Sequence, residues 1–188
     1  MLETILDLDR RAFEIVNQQW HTELLDSIMI FLTTISDMGF FWWAAAIVLI
    51  IFHKRAGGFY KGITLALSIG VVFIIENSLN WVFQRPRPPL TEDGVRQLVD
   101  LALTSSFPSG HAASSFAAMT VLVCFFSSAK YWALPLAVIF SYSRLYVGMH
   151  FPLDSIAGAV LGIITGYAVY RLMEKYRTNM LSAPDKVE

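Results

Sequence analysis

Four apolar runs, each close to the length of a membrane-crossing helix, limit what this chain can become: 60–83, 111–129, 131–149 and 152–172. A helix rises about 1.5 Å per residue, so roughly 20 apolar residues cover the hydrocarbon core of a bilayer. Charged residues gather in short patches between these runs. Only 15% of the 188 residues are charged against 55% hydrophobic, where a soluble domain carries about 25% charge. The pattern is that of a polytopic membrane protein, an all-α bundle of helices.

Two further stretches fit the same reading. Residues 38–53 form a shorter run with Phe40, Phe41, Trp42 and Trp43 at one end, as an interfacial belt would have. Residues 24–36 (LLDSIMIFLTTIS) are short and polar at both ends, which suits a re-entrant or interfacial helix as well as a span. Residues 2–19 can fold as an amphipathic helix with Leu2, Ile5, Leu6, Leu8, Phe13 and Val16 broadly on one side. They lack the continuous apolar core of a cleavable signal peptide. The expected organisation is therefore an N-terminal interfacial helix at 1–23, a membrane domain at 24–172 and a polar cytoplasmic tail at 173–188. The membrane domain should hold about six helices making five or six crossings, and the end of the tail (TNMLSAPDKVE) should be disordered.

Basic residues set the orientation. Lys54, Arg55 and Lys61 flank one turn, Lys130 sits in another, and Arg171, Lys175, Arg177 and Lys186 follow the last run. These positions fall on one side, which the positive-inside rule makes cytoplasmic. The loop 84–110 and the turn near 150 then face outward, on the extracytoplasmic face of a cell membrane. Net charge is −1, with no basic stripe, so nothing points to nucleic acid. Cys124 is the single cysteine and lies in an apolar run, so an intramolecular disulfide is impossible and a packing role is expected. His21 and His53 stand at helix ends as interfacial residues. Gly158, Gly162 and Gly166, spaced by four, are expected to let the last helix pack closely.

Three polar clusters fall on the outer face: RPRP at 85–88, FPSGH at 107–111 and SRLYVGMHFPLD at 143–154. Intramembrane or membrane-edge ionisable groups are costly and mark function. In FPSGH, Pro108 disfavours helix before it, Ser109 is a natural N-cap, Gly110 lets a ligand approach the backbone, and His111 lies in the first turn. The N–H groups at such a helix start favour an anion such as phosphate. In RPRP the two prolines hold the backbone extended, so Arg85 and Arg87 project to opposite sides and at most one points easily into a shared site. In the third cluster Arg144 and His150 end one helix, Pro152 breaks the path, and Asp154 opens the next. A tight turn can set Asp154 against His150, its carboxylate accepting from one ring nitrogen while the other stays nucleophilic. Nucleophile, orienter, second histidine, cations and a helix N-terminus together make a kit for phosphoryl transfer.

On these motifs the sequence resembles the type-2 phosphatidate phosphatase superfamily of membrane phosphatases, related to vanadium haloperoxidases and glucose-6-phosphatase. The family pattern is lysine, six residues and Arg-Pro, then Pro-Ser-Gly-His, then Ser-Arg, five residues, His, three residues and Asp. Pro108-Ser109-Gly110-His111 and Ser143-Arg144 through His150 to Asp154 match in spacing, and Arg87-Pro88 matches the end of the first part. The family lysine falls on Asn80, which is a departure.

The resemblance implies that His150 attacks phosphorus to give a phosphohistidine, that Asp154 orients it, and that His111 protonates the leaving oxygen and later activates water. It implies that Arg87, Arg144, Ser109 and the Gly110 backbone bind phosphoryl oxygens. At position 80 an amide replaces a cation, and Arg85 is a candidate to compensate. Glu76, one turn deeper on the same helix, is divided between a site role and a structural hydrogen bond. No metal or other cofactor is implied, and no His or carboxylate cluster has metal-ligand spacing beyond the catalytic pair. Small size, the missing lysine and the short loop from RPRP to PSGH look most like the bacitracin-resistance-type undecaprenyl-diphosphatases. The expected partners are a lipid phosphate or diphosphate substrate and membrane lipids. Phosphatidate, phosphatidylglycerophosphate or a lipid A phosphate are alternative substrates. A lipid phosphotransferase would use the same residues, and an anion transporter is a different class that would place its charges along a mid-membrane path.

Overall fold

A computed structural model describes residues 2–182, and every regular element among them is helical. Helix α1 (Leu2–Glu14) ends in a wider turn at Ile15–Gln19. It is followed by α2 (Glu23–Ile35), α3 (Phe40–Ile51), the single-turn α4 (His53–Ala56) and α5 (Phe59–Phe83). A long connection leads to α6 (Gly110–Phe125), α7 (Lys130–Tyr146) and α8 (Pro152–Ser182). The six segments expected in the membrane domain are α2, α3 and α5 to α8; α4 is an addition. Helix α8 continues well past residue 172, so 173–182 of the expected tail is helical, and 183–188 lie outside the described residues.

By length and composition, Phe59–Leu90 and α8 could each cross a membrane. Helices α2 and α3 pass the same test only as a pair, bent by 46°. The bend has a local cause. Met38 and Gly39 both take left-handed backbone (φ 46° and 73°), which no continuous helix allows. Large side chains such as Ile74, Trp81, Ile156 and Ile164 are exposed, as an apolar solvent permits.

The bundle closes through small residues. A Cβ added to Gly158 would collide with the Ser109 carbonyl, one on Gly162 with the Ala113 carbonyl, and one on Gly166 would lie 2.6 Å from the Ala117 carbonyl. The glycines expected to permit close packing therefore bring the α8 backbone directly onto α6. On its other side α6 receives Trp42 of α3, which is fully buried and donates from Nε1 to Ser115 Oγ at 3.0 Å. That bond satisfies both polar groups inside the apolar cluster of Leu65, Ile69, Val121 and Phe140.

The N-terminal segment does more than lie at an interface. Phe13 and Asn17 are fully buried. Asn17 Nδ2 donates to the carbonyls of Tyr146 (2.8 Å) and Arg96 (3.0 Å), and its Oδ1 accepts from Arg96 N (2.8 Å). This one amide ties the N-terminal segment to the long connection and to the end of α7. On the amphipathic helix, Phe13 faces inward while Ile5 and Leu8 are exposed.

The α6–α8 contact is testable. Gly162→Ala puts a methyl against the Ala113 carbonyl and within 2.8 Å of Ala117 N, backbone atoms that cannot step aside. It should cost about 1–3 kcal/mol, read as a lower melting temperature in detergent. Gly70→Ala, whose Cβ would meet only Trp43 at 3.8 Å, should be neutral or stabilising. Equal melting temperatures for the two variants would contradict this packing.

Candidate active site

Backbone hydrogen bonds draw the three motifs together. Ser106 N donates to the Arg85 carbonyl at 2.8 Å, joining RPRP to the segment before FPSGH. Ser109 N donates to the Asp154 carbonyl at 3.0 Å, joining PSGH to the start of α8. Pro152 opens α8, and Phe151 N donates to Asp154 Oδ2 at 2.9 Å, so the Asp154 side chain closes the turn that follows His150. The three clusters form one site.

His150 is 3% exposed. Its Nδ1 lies 2.7 Å from the Ser106 carbonyl, which only accepts, so Nδ1 carries the proton. Its Nε2 lies 3.2 Å from Arg87 Nη1, which only donates, so Nε2 presents its lone pair. Both neighbours select the same tautomer, the one a nucleophilic Nε2 requires. The sequence expectation of a direct carboxylate–imidazole hydrogen bond needs correction: Asp154 Oδ2 is 3.8 Å from Nδ1. The carboxylate acts one step back, accepting from Ser106 Oγ at 2.5 Å, while the carbonyl of the same serine holds the ring.

His150 opens on a cavity of about 260 Å³ lined also by His111, Gly110, Arg87, Arg144, Glu76 and Asp37. The two arginines differ. Arg87 has all five N–H groups engaged: Nε with the Thr104 carbonyl, Nη2 with Thr104 Oγ1 and the Ser105 carbonyl, Nη1 with the Met149 carbonyl and His150. Only the donor aimed at the lone pair of His150 can pass to a ligand without breaking the loop. Arg144 makes one bond, Nη1 to Thr33 Oγ1 at 2.6 Å, and its buried Nε has no partner among the described residues. Its spare donors suit an anion in the cavity. His111 Nε2 lies 3.1 Å from the Thr33 carbonyl and 3.7 Å from Asp37 Oδ1, which places α2 and the bend after it against the second histidine.

The remaining candidates do not line this cavity. Ser109 is fully buried and caps α6 through the Ala112 N–H at 3.5 Å. Asn80 Nδ2 donates to Glu76 Oε1, to the Glu76 carbonyl (3.1 Å) and to the Pro108 carbonyl (3.3 Å), so it braces Glu76 and the PSGH turn. Arg85 points away: Nη1 binds Asp154 Oδ1 at 2.5 Å and Nη2 binds Asp9 Oδ2 at 2.6 Å. Two of its five N–H groups are held by carboxylates, and it does not line the cavity beside His150. The opposite projection of Arg85 and Arg87 follows the extended RPRP backbone. Asn80 and Arg85 both border a neighbouring cavity of about 690 Å³, which shares Asn77, Arg87, Ala102 and Thr104 with the first.

Sequence reasoning did not single out Ser106, Thr33, Thr104 or Asp9. Ser106 and Thr104 lie just before FPSGH, and the only signal there was a run of small hydroxyl residues beside a motif. Thr33 and Asp9 carried none.

Among the described residues, no group of three or more His, Cys, Asp or Glu side chains is arranged to hold a metal ion.

The environment of His150 fixes its proton affinity. Burial pushes its imidazole down from the usual 6.5 to about 4; the charges of Arg144 and Arg87 push the same way and Asp154 opposes them. Since the native value lies below the unfolded one, protons favour the unfolded chain. The stability carried by neutral His150 is therefore present above about pH 6.5 and lost as pH falls toward 4. In 15N spectra of ring-labelled protein, His150 should stay neutral with Nδ1 protonated from pH 8 down to about 5.5. A midpoint near 6.5, or a proton on Nε2, would contradict this geometry.

Comparison with known proteins shows the family. The model of the PAP2 superfamily matches residues 61–178. Undecaprenyl-diphosphatase BcrC of Bacillus subtilis is 30% identical over 160 residues, covering 84% of this chain and 79% of that protein. Lipid A 4'-phosphatase of Bacteroides thetaiotaomicron is 33% identical over 141 residues, covering 70% of this chain and 61% of its own length. Among solved structures, that of Aquifex aeolicus LpxE superposes with a TM-score of 0.77 at 32% identity, over 87% of this chain and 95% of the other. A PAP2-type phosphatidylglycerolphosphate phosphatase from Bacillus subtilis gives a TM-score of 0.76 at 22% identity, over 92% and 87%, which speaks for the shared fold. With the family model covering well over half of its residues, the chain belongs to the PAP2 superfamily and is a membrane phosphatase.

Proposed function

We propose that the protein is a lipid diphosphatase that converts undecaprenyl diphosphate to undecaprenyl phosphate through a phosphohistidine at His150. One observation carries the chemistry: a neutral imidazole whose Nε2 lone pair meets an arginine donor at the edge of a cavity holding a second histidine and a second arginine. In the first step Nε2 bonds to the terminal phosphorus and the bond from phosphorus to the bridging oxygen breaks. Protonated His111 gives its proton to that oxygen, and the lipid monophosphate leaves. In the second step His111 takes a proton from water as the water oxygen bonds to phosphorus. The phosphorus–nitrogen bond breaks, releasing inorganic phosphate and restoring His150. Arg144 and the first turn of α6 at Gly110 receive the phosphoryl oxygens, and Arg87 transfers its Nη1 donor from the imidazole to the incoming group.

Support for a diphosphate comes from the relative named undecaprenyl-diphosphatase, which aligns over most of both chains. The larger cavity beyond Arg87 adds to it. It has amide side chains at Asn77, Asn80 and Gln84 and exposed apolar ones at Trp81, Leu90 and Leu103, room for a leaving lipid phosphate and the root of its chain. A lipid A phosphate is the second reading, favoured by the likeness to the lipid A 4'-phosphatase. Phosphate release should be compared across undecaprenyl diphosphate, lipid A, phosphatidylglycerophosphate and phosphatidate in detergent with EDTA. The highest kcat/KM is expected for undecaprenyl diphosphate, and His150→Ala should abolish release while the protein still folds. Faster release from lipid A would move the assignment to the second reading, and full activity of His150→Ala would remove the proposed nucleophile.

The same reading takes the bent α2–α3 pair and α5 to α8 as five crossings, with the cavity opening outward and the C-terminal end of α8 in the cytoplasm. The basic residues Lys54, Arg55, Lys61, Lys130, Arg171, Lys175 and Arg177 fall in two turns and along the end of α8, and none of them lines the cavity. In a Cys124→Ala background, Asp93→Cys should react with an impermeant maleimide added to intact cells and Ser128→Cys should not. The reverse pattern would turn the site toward the cytosol.

A further inference from the structure

The N-terminal helix reaches the reacting histidine through one side chain. Asp9 sits on α1, which carries exposed apolar residues on its outer side, yet its carboxylate is fully enclosed. Asp9 Oδ1 accepts from Leu153 N at 2.8 Å, in the first turn of α8, and Oδ2 accepts from Arg85 Nη2 at 2.6 Å. Arg85 Nη1 holds Asp154 Oδ1 at 2.5 Å, and the other oxygen of Asp154 receives Ser106 Oγ, whose backbone carbonyl takes the His150 proton. The guanidinium is stacked 4.2 Å above the Phe151 ring, and Phe13 of α1 packs on that ring from 5.4 Å. An enclosed carboxylate is tolerated only when its oxygens are fully engaged, and Asp9 spends one oxygen on the first turn of α8 and the other on Arg85.

We propose that Asp9 is a positioning residue of the reaction, and that α1 acts as a strap fixing the Arg85–Asp154–Ser106 chain behind His150. The proposal rests on the reading of His150 as nucleophile. Asp9 lines neither cavity, so it is not placed to touch substrate. Without its carboxylate Arg85 keeps a single anionic partner and can swing toward it. Asp154 is then no longer held with one oxygen toward Arg85 and the other toward Ser106. The ring of His150 loses its fixed direction, while the Ser106 carbonyl and Arg87 still select its tautomer and the phosphate-binding groups stay in place. The effect should fall on kcat and spare KM.

The test uses the full-length protein in detergent with undecaprenyl diphosphate, alongside wild type and His150→Ala. Asp9→Asn should lower kcat on the order of 10- to 100-fold, with KM within about twofold. Asp9→Glu should recover part of the loss, and Asp9→Asn combined with Arg85→Gln should be no slower than Arg85→Gln alone. The 15N signal of His150 in Asp9→Asn should broaden as the ring loses its single orientation, with Nδ1 still protonated. Should Asp9→Asn fail to fold, Arg85→Gln reads the same link: a drop in kcat at constant KM supports it. Wild-type kcat in either folded variant, or multiplicative losses in the double variant, would overturn the strap. Inactive wild type or an active His150→Ala would instead defeat the phosphatase reading itself.

Discussion

The site depends on how closely α8 can approach α6. Because Gly158 and Gly162 lack side chains, the α8 backbone rests on the carbonyls of Ser109 and Ala113. The first turn of α8 is thereby carried to the N-terminus of α6, where Ser109 N meets the Asp154 carbonyl. Asp154, His150 and the PSGH turn are neighbours for that reason. A larger residue at either glycine would separate them before it touched any catalytic group. Small residues at a helix crossing are the usual means of close approach in a membrane. Here the same contact sets the distance between His150 and the PSGH turn.

A second constraint comes from burying charge. Arg87, Arg144, Asp154 and Asp9 are all largely enclosed, and each must be matched to stay ionised. Three of them are. Arg87 spends its donors on the 104–105 loop, the Met149 carbonyl and His150, and the two aspartates share Arg85. Arg144 is the exception, with one hydrogen bond and an Nε unpartnered among the described residues. A cation left incompletely matched next to the proposed nucleophile is poised for an anion, and binding one relieves the desolvation that burial imposes. Pre-aimed charge of this kind is the main resource for phosphoryl transfer.

Much of this was legible in the sequence, for identifiable reasons. Apolar runs are set by the hydrocarbon thickness, so α5 to α8 could be located to within a few residues at most ends. The spacing in SRLYVGMHFPLD carries His150 and Asp154 because a turn between two helices is local. The extended RPRP backbone set Arg85 and Arg87 on opposite sides. What sequence did not convey depends on distant backbone or on exact direction. The acceptor for His150 is a carbonyl, which any residue at 106 would supply, and Thr33 reaches Arg144 from 111 positions away. Asn80 stands where a family lysine would, but its amide turns to Glu76 and Pro108, a choice made by tertiary packing. Asp9 lay in a segment whose amphipathic pattern explained it as an interfacial helix.

The central claim is that Nε2 of His150 is the atom that receives the phosphoryl group. It is tested most directly by mixing the His111→Ala variant with a 32P-labelled aryl phosphate, whose leaving group departs without the proton that His111 supplies, quenching in alkali, and mapping the label by mass spectrometry. The account predicts phosphate on the Nε2 nitrogen of His150, accumulating because the step that activates water has lost its base. Label on another residue, or release of labelled phosphate with no covalent intermediate at any time, would contradict it.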